Sequence, residues 1–109
     1  MKPIVLNGNV WRVIRVMPGD PYLVDRTGIP RIAVTDVANK MIGISWDVLP
    51  PLLDRVLLHE IGHALTWEYG FPVNEGSAQL IEGHSIEAVA LASGLLGRPV
   101  CVGGRCLGS

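Results

Sequence analysis

The segment His59-Glu60-Ile61-Gly62-His63 constrains this chain more than any other. It lies within an apolar run, Val56, Leu57, Leu58, Ile61, Ala64 and Leu65, whose spacing is that of a helix. Residues four apart on a helix share one face, so His59 and His63 can present their imidazoles to a single metal ion. Glu60, beside the first histidine, is then aimed at a water on that metal. Two neutral imidazoles and a carboxylate suit zinc, with one ion expected. The plainer alternative is a buried helix that carries two histidines by chance. Gly62, between Glu60 and His63, is expected to allow close packing of this helix on a sheet.

A chain of 109 residues is enough for one domain and too short for two. Hydrophobic residues make up 49% of it, so a core can form despite the small size. The net charge is -1 and the charges are scattered, which gives no electrostatic case for nucleic acid or for an anionic membrane surface. The Lys2-to-Leu6 start is interrupted too early by Asn7-Gly8 to read as a signal peptide. Asp54, His59 and Glu60 break the longest apolar run before it reaches membrane-spanning length. A cytoplasmic protein is the expectation. Cys101 and Cys106 stand in C-V-G-G-R-C, which is not the C-x-x-C of redox or zinc-ribbon sites. Reduced thiols are expected without a secretion signal. A small disulfide loop, or a tail cysteine that caps the metal and keeps it latent, are the alternatives.

The first half of the chain is strand-like and the second half helical, which argues an α+β domain. Strand candidates fall between about residues 10 and 45: Val10–Val16, Tyr22–Asp25, Arg31–Thr35 and Met41–Ser45. Their shortness and close spacing predict a small, twisted, mostly antiparallel sheet. Pro50-Pro51 suits a first helical turn, so the metal helix is predicted over about 50–69 and ends at Gly70. Asn74 is a good N-cap and Glu75 favours a helix N-terminus, predicting a second helix over about 75–96. Residues 97–109 read as a mobile, glycine-rich tail.

A catalytic zinc site holds three protein ligands and keeps the fourth position for water. Glu75, Glu82, His84 and Glu87 are the downstream candidates for the third ligand. On the second helix Glu75, Gln79 and Glu82 share a polar stripe, whereas His84 lies near the centre of the apolar face and Glu87 on its flank. The loop from Gly70 to Asn74 is long enough to return the second helix toward the metal. Glu75 and Glu82 are within that reach, while Glu87 tends to overshoot.

Three stretches resemble the gluzincin clan of zinc peptidases, in particular its minimal single-domain and phage-type members. Leu57-Leu58-His59-Glu60-Ile61-Gly62-His63-Ala64-Leu65 looks like the metal helix of that clan. Ile32–Asp36 followed by Met41–Ser45 is similar to the strand pair that precedes it in the phage-type proteins. Asn74-Glu75-Gly76-Ser77-Ala78-Gln79 resembles the N-E-x-x-x-D stretch of thermolysin-like peptidases. The resemblance implies His59, His63 and Glu75 as zinc ligands and Glu60 as general base. Gln79 stands where the clan has the aspartate that orients the first histidine, so that orientation is expected to be weaker here. A second alignment, through Glu87-Ala88 to Leu95-Leu96, resembles repressor-cleaving peptidases and makes Glu87 the ligand instead.

The implied activity is metal-assisted hydrolysis of a peptide or protein substrate. The Met41–Ser45 strand is expected to line the cleft and to accept an extended peptide by strand addition. Tyr69 and His84 are the nearby candidates for oxyanion support, but helix-end packing is the preferred reading of Tyr69 and a hydrogen-bonded core histidine that of His84. A metal-stabilised regulatory or binding module without proteolysis is the competing class, and a metal-free helical interaction protein is a third. The retention of Glu60 separates the first from the second, because a structural metal has no use for a carboxylate at that position.

Overall fold

The computed structural model describes residues 1–25, 27–70 and 90–98, with the backbone alone of 100–102 and 105–107. The chain is α+β. Four strands, β1 (Ile4–Leu6), β2 (Asn9–Val16), β3 (Ala33–Asp36) and β4 (Met41–Ser45), form one sheet in the order β1-β2-β4-β3. Helix α1 (Leu52–Glu68) crosses one face of it, and a second helix, α2, is described over 90–96. β5 (Val100–Val102) and β6 (Arg105–Leu107) pair as a separate antiparallel hairpin within the stretch read as a tail. No helix among the described residues is long and apolar enough to cross a membrane.

The sheet is mixed. β1 and β2 form a hairpin closed by Asn7 and Gly8, both at positive φ (50° and 78°), the backbone that a two-residue hairpin turn requires. β3 and β4 are also antiparallel, but the central pair β2–β4 runs parallel, with Arg12 opposite Met41 and Val16 opposite Ser45. The chain therefore leaves β2, passes through the outer strand β3 and returns inward to β4. That excursion includes Tyr22–Asp25, which is not a strand. Pro21–Leu23 is a 3₁₀ turn capped by Asp20, whose carboxylate accepts from the Tyr22 N–H at 2.8 Å, and only Val24 bridges to Pro30. Proline at the start of the turn fixes φ and removes a ladder donor, so the short apolar piece cannot extend as a strand.

Alternation in the strands places Trp11 and Val13, Ile42 and Ile44, and Ala33 on the face that meets α1. Helix α1 contributes Leu53, Leu57, Ile61, Ala64 and Leu65, a stripe at spacings of three and four. Leu57 and Ile61 are fully buried. On the opposite sheet face Gly43 lets the Tyr22 ring lie close: a Cβ built there stands 3.0 Å from Tyr22 Cε1. Helix α1 stops where the sequence predicts, with Gly70 at φ 73° and its N–H bonded to the Trp67 carbonyl at 3.1 Å.

Two polar clamps fix the position of α1. Arg15 Nη2 donates to the carbonyls of Ser45, Trp46 and Val48 at 3.0, 3.3 and 2.8 Å, and so shapes the turn between β4 and the helix. At the helix N-terminus Asp54 pairs with Arg98 just after α2, with Nη1 to Oδ2 at 2.6 Å. The Arg98 hydrogen bonds hold the Asp54 carboxyl below its ordinary pKa despite partial burial. Both side chains keep solvent contact, so screening limits the pair. Arg98→Ala is expected to lower unfolding stability only slightly, as for other solvent-screened ion pairs. Urea unfolding checks this as a small fall in midpoint at unchanged slope.

Candidate metal centre

Successive residues of a helix turn by about 100°. Relative to the buried stripe, that rotation carries His59, His63 and Trp67, each one turn apart, onto a row facing away from the core. Glu60 falls between this row and the stripe. Its carboxylate is consequently at the boundary, in a residue only 8% exposed, and it leans toward the sheet. The Thr35 hydroxyl on β3 donates to Glu60 Oε2 and lies 3.3 Å from the Glu60 carbonyl.

The two imidazoles converge. His59 Nε2 and His63 Nε2 are 2.9 Å apart, and the rings meet edge to face with centroids 4.4 Å apart and an interplanar angle of 89°. Two nitrogens on one tetrahedral zinc, each at about 2.05 Å, stand about 3.3 Å from one another. The observed pair is a few tenths of an ångström short of that, so a small rotamer adjustment suffices for a shared ion. Burial first, and then the neighbouring His59, lower the His63 pKa, while Glu60 opposes them. The net effect favours the neutral imidazole that a metal needs.

His59, Glu60 and His63 open onto one cleft of about 760 Å³ between α1 and the outer strand β3. The strand contributes Ala33 to Asp36, and Trp67 lies one turn beyond His63. Trp67 is 58% exposed, a large aromatic face left in the cleft. The far wall carries two fixed polar pairs. Tyr22 donates to Asp36 Oδ2 at 2.9 Å, and burial followed by the Asp36 carboxylate pushes the phenol up to about 12. Asp25 accepts from the Thr27 N–H and hydroxyl and from Arg31 Nε at 2.8 Å, and these contacts hold it well below the usual carboxylate range.

Comparison of the chain with protein-family models, curated proteins and solved structures returned no match. The site is therefore read from its own residues.

Two expectations change. The Met41–Ser45 strand has no free edge, because β4 is paired to β2 on one side and β3 on the other. Among the described residues the edge strand beside the cleft is β3. Ser45 N–H donates to the Ile32 carbonyl at 2.9 Å, so in the alternating antiparallel pattern the backbone groups of Ala33 and Thr35 point away from β4. Gly62 is not needed for close approach, since a Cβ built there meets nothing within 4 Å. Tyr69 stands at the C-cap of α1, in keeping with helix-end packing, and the tyrosine that lines the cleft is Tyr22, whose hydroxyl is engaged by Asp36. No local pattern marked Tyr22, because its place depends on the turn that folds it over Gly43.

Glu75, Gln79, Glu82, His84 and Glu87 lie outside the described residues, as do the side chains of Cys101 and Cys106. Among the described residues no group of three or more His, Cys, Asp or Glu is placed to hold a metal ion.

Proposed function

We propose that this chain is a zinc-dependent peptidase, with His59 and His63 as two metal ligands and Glu60 as general base. The observation that carries this reading is the meeting of three features in one cleft: converging imidazole nitrogens, an adjacent carboxylate and β3, an edge strand among the described residues. A structural metal needs only the first. In the resemblance to gluzincins the third ligand is Glu75, with Glu82 and Glu87 as alternatives, and Gln79 supports His59.

Bound zinc would supply a water acidic near neutral pH and would polarise the scissile carbonyl. The rest belongs to the chain. Glu60 takes a proton from the attacking water and returns it to the departing amine nitrogen, so the peptide C–N bond breaks as a C–O bond forms. Ala33 and Thr35 offer main-chain N–H and C=O groups to an extended substrate, which adds as a strand along β3. Trp67 gives that substrate an apolar surface next to the histidines.

Purified protein is expected to carry about one zinc per chain and to cleave members of a quenched fluorogenic peptide library. Removing the metal with a chelator should reduce cleavage to background, and added zinc should restore it. Retained metal with no cleavage of any peptide identifies a binding module instead. Absence of metal after purification and after zinc addition overturns the site altogether.

A further inference from the structure

We propose that Thr35 is the positioning residue of the Glu60 carboxylate, its hydroxyl fixing one oxygen so that the other is left to handle the proton. The proposal rests on the peptidase reading above and adds to it a residue from the strand.

Glu60 is a nearly buried carboxylate, and such a group needs donors. Among the described residues the donor it has is the Thr35 hydroxyl, on Oε2. A carboxylate has two oxygens, and a proton shuttle works through one at a time. Left free, the side chain rotates about its last torsions and presents either oxygen, in several positions. Thr35 removes that freedom. Being β-branched, it is itself stiff at χ1. Its backbone is held opposite Ile42 by the antiparallel β3–β4 ladder on either side of it, and its side chain shares the helix-facing side of the strand with buried Ala33. The same hydroxyl lies 3.3 Å from the Glu60 carbonyl, so it spans the main chain and the side chain of one residue.

Thr35 also occupies the outer edge of the sheet. Its N–H and C=O point away from β4 while its hydroxyl holds the general base. One residue thus sets the distance between the strand on which a peptide would lie and the carboxylate that would serve it. A simple helix-to-sheet tether would affect folding and metal retention. A positioning residue affects the chemical step.

Thr35→Val and Thr35→Ser separate the two. Valine keeps the shape and loses the hydroxyl, whereas serine keeps the hydroxyl. With the zinc-loaded protein and a cleavable fluorogenic peptide, Thr35→Val is expected to lower kcat about 10- to 100-fold, the scale of a misplaced reacting group. KM and zinc content should stay within about twofold, and Thr35→Ser should recover most of the rate. The Glu60 carboxyl resonance in ¹³C-glutamate-labelled protein, assigned through Glu60→Gln, should move in Thr35→Val and hold its place in Thr35→Ser. A wild-type kcat in Thr35→Val overturns the proposal, as does a rate lost only in step with zinc or fold. The resonance decides without any substrate. If it does not move, Thr35 does not hold Glu60 even where the peptidase reading stands. If it moves in a wild-type background that cleaves nothing, the contact stands and the peptidase reading fails.

Discussion

Glu60→Ala is expected to lower peptide hydrolysis by about 10²- to 10⁴-fold, the usual contribution of a positioned general base, while zinc content stays near one per chain. His63→Ala is expected to lose both. The pairing of the two results is the informative part. Glu60 turns toward Thr35 on β3 and contributes nothing to the meeting of the imidazole nitrogens 2.9 Å apart. Removing it leaves both histidines on their helix, one turn apart, with their spacing unchanged. Removing His63 takes away half of the converging pair, and a site of three proposed protein ligands is left with two. Glu60→Gln is the sharper variant, because it keeps the shape and can still accept from Thr35 but cannot take a proton. Metal analysis of the three purified variants beside peptide cleavage reads both quantities. Equal zinc loss in Glu60→Ala and His63→Ala would place Glu60 among the ligands, and full activity in Glu60→Gln would remove it from the chemistry.

The meeting of the two histidines was legible because it is local. Four residues separate His59 from His63, and α1 fixes their relation whatever lies around it. The helix ends were legible for the same reason: Pro51 precedes the first turn, and Gly70 adopts the positive φ that stops the last. What escaped was long-range. β1 was passed over although Asn7-Gly8, at the tip of its hairpin, is a strong turn signal; three residues are too few to show alternation. The parallel pairing of β2 with β4 leaves no mark in either strand, since both alternate as an antiparallel strand would. With no strand order to be read from the sequence, the wrong strand was taken for the edge. Met41–Ser45 was expected to face the cleft, whereas the order β1-β2-β4-β3 encloses it and puts β3 at the edge among the described residues. Thr35 was read only as part of a strand, because its partner Glu60 is 25 residues away and no periodicity links them. Tyr22 was hidden in an apolar piece that read as strand but turns at Pro21.

Glu68→Ala is expected to cost about 3 kcal/mol of unfolding stability and to lower Tm by roughly 15 °C, a large fraction of what a domain of this size has. Glu68 sits at the end of α1, where its side chain is 5% exposed. Its carboxylate accepts from Asn9 Nδ2 at 2.7 Å, Trp11 Nε1 at 2.7 Å and Lys40 Nζ at 3.0 Å. The Glu68 carbonyl also accepts from Asn7 Nδ2 at 3.1 Å. One residue thus ties the helix C-terminus to the β1–β2 turn, to β2 and to the turn before β4. The Trp11 contact decides the magnitude. Trp11 is fully buried, and its indole N–H left without an acceptor costs about 1–3 kcal/mol by itself. The Lys40 contact adds less, because that ammonium remains partly in water. Burial would raise the Glu68 pKa, but the hydrogen bonds from Trp11, Lys40 and Asn9 outweigh it and the value ends below the ordinary 4.5. A carboxyl with a depressed folded pKa contributes stability that is fully present above the unfolded value and is lost as pH falls through the folded one. The gap in unfolding free energy between wild type and Glu68→Ala should therefore be constant from about pH 7 to pH 5.5 and should narrow below about pH 4.5 as the wild-type carboxylate protonates. Urea unfolding of both proteins across that range measures it. A gap that widens toward acid would mean that Glu68 is held protonated in the folded chain, and a gap near zero throughout would mean that the helix end is secured by other contacts.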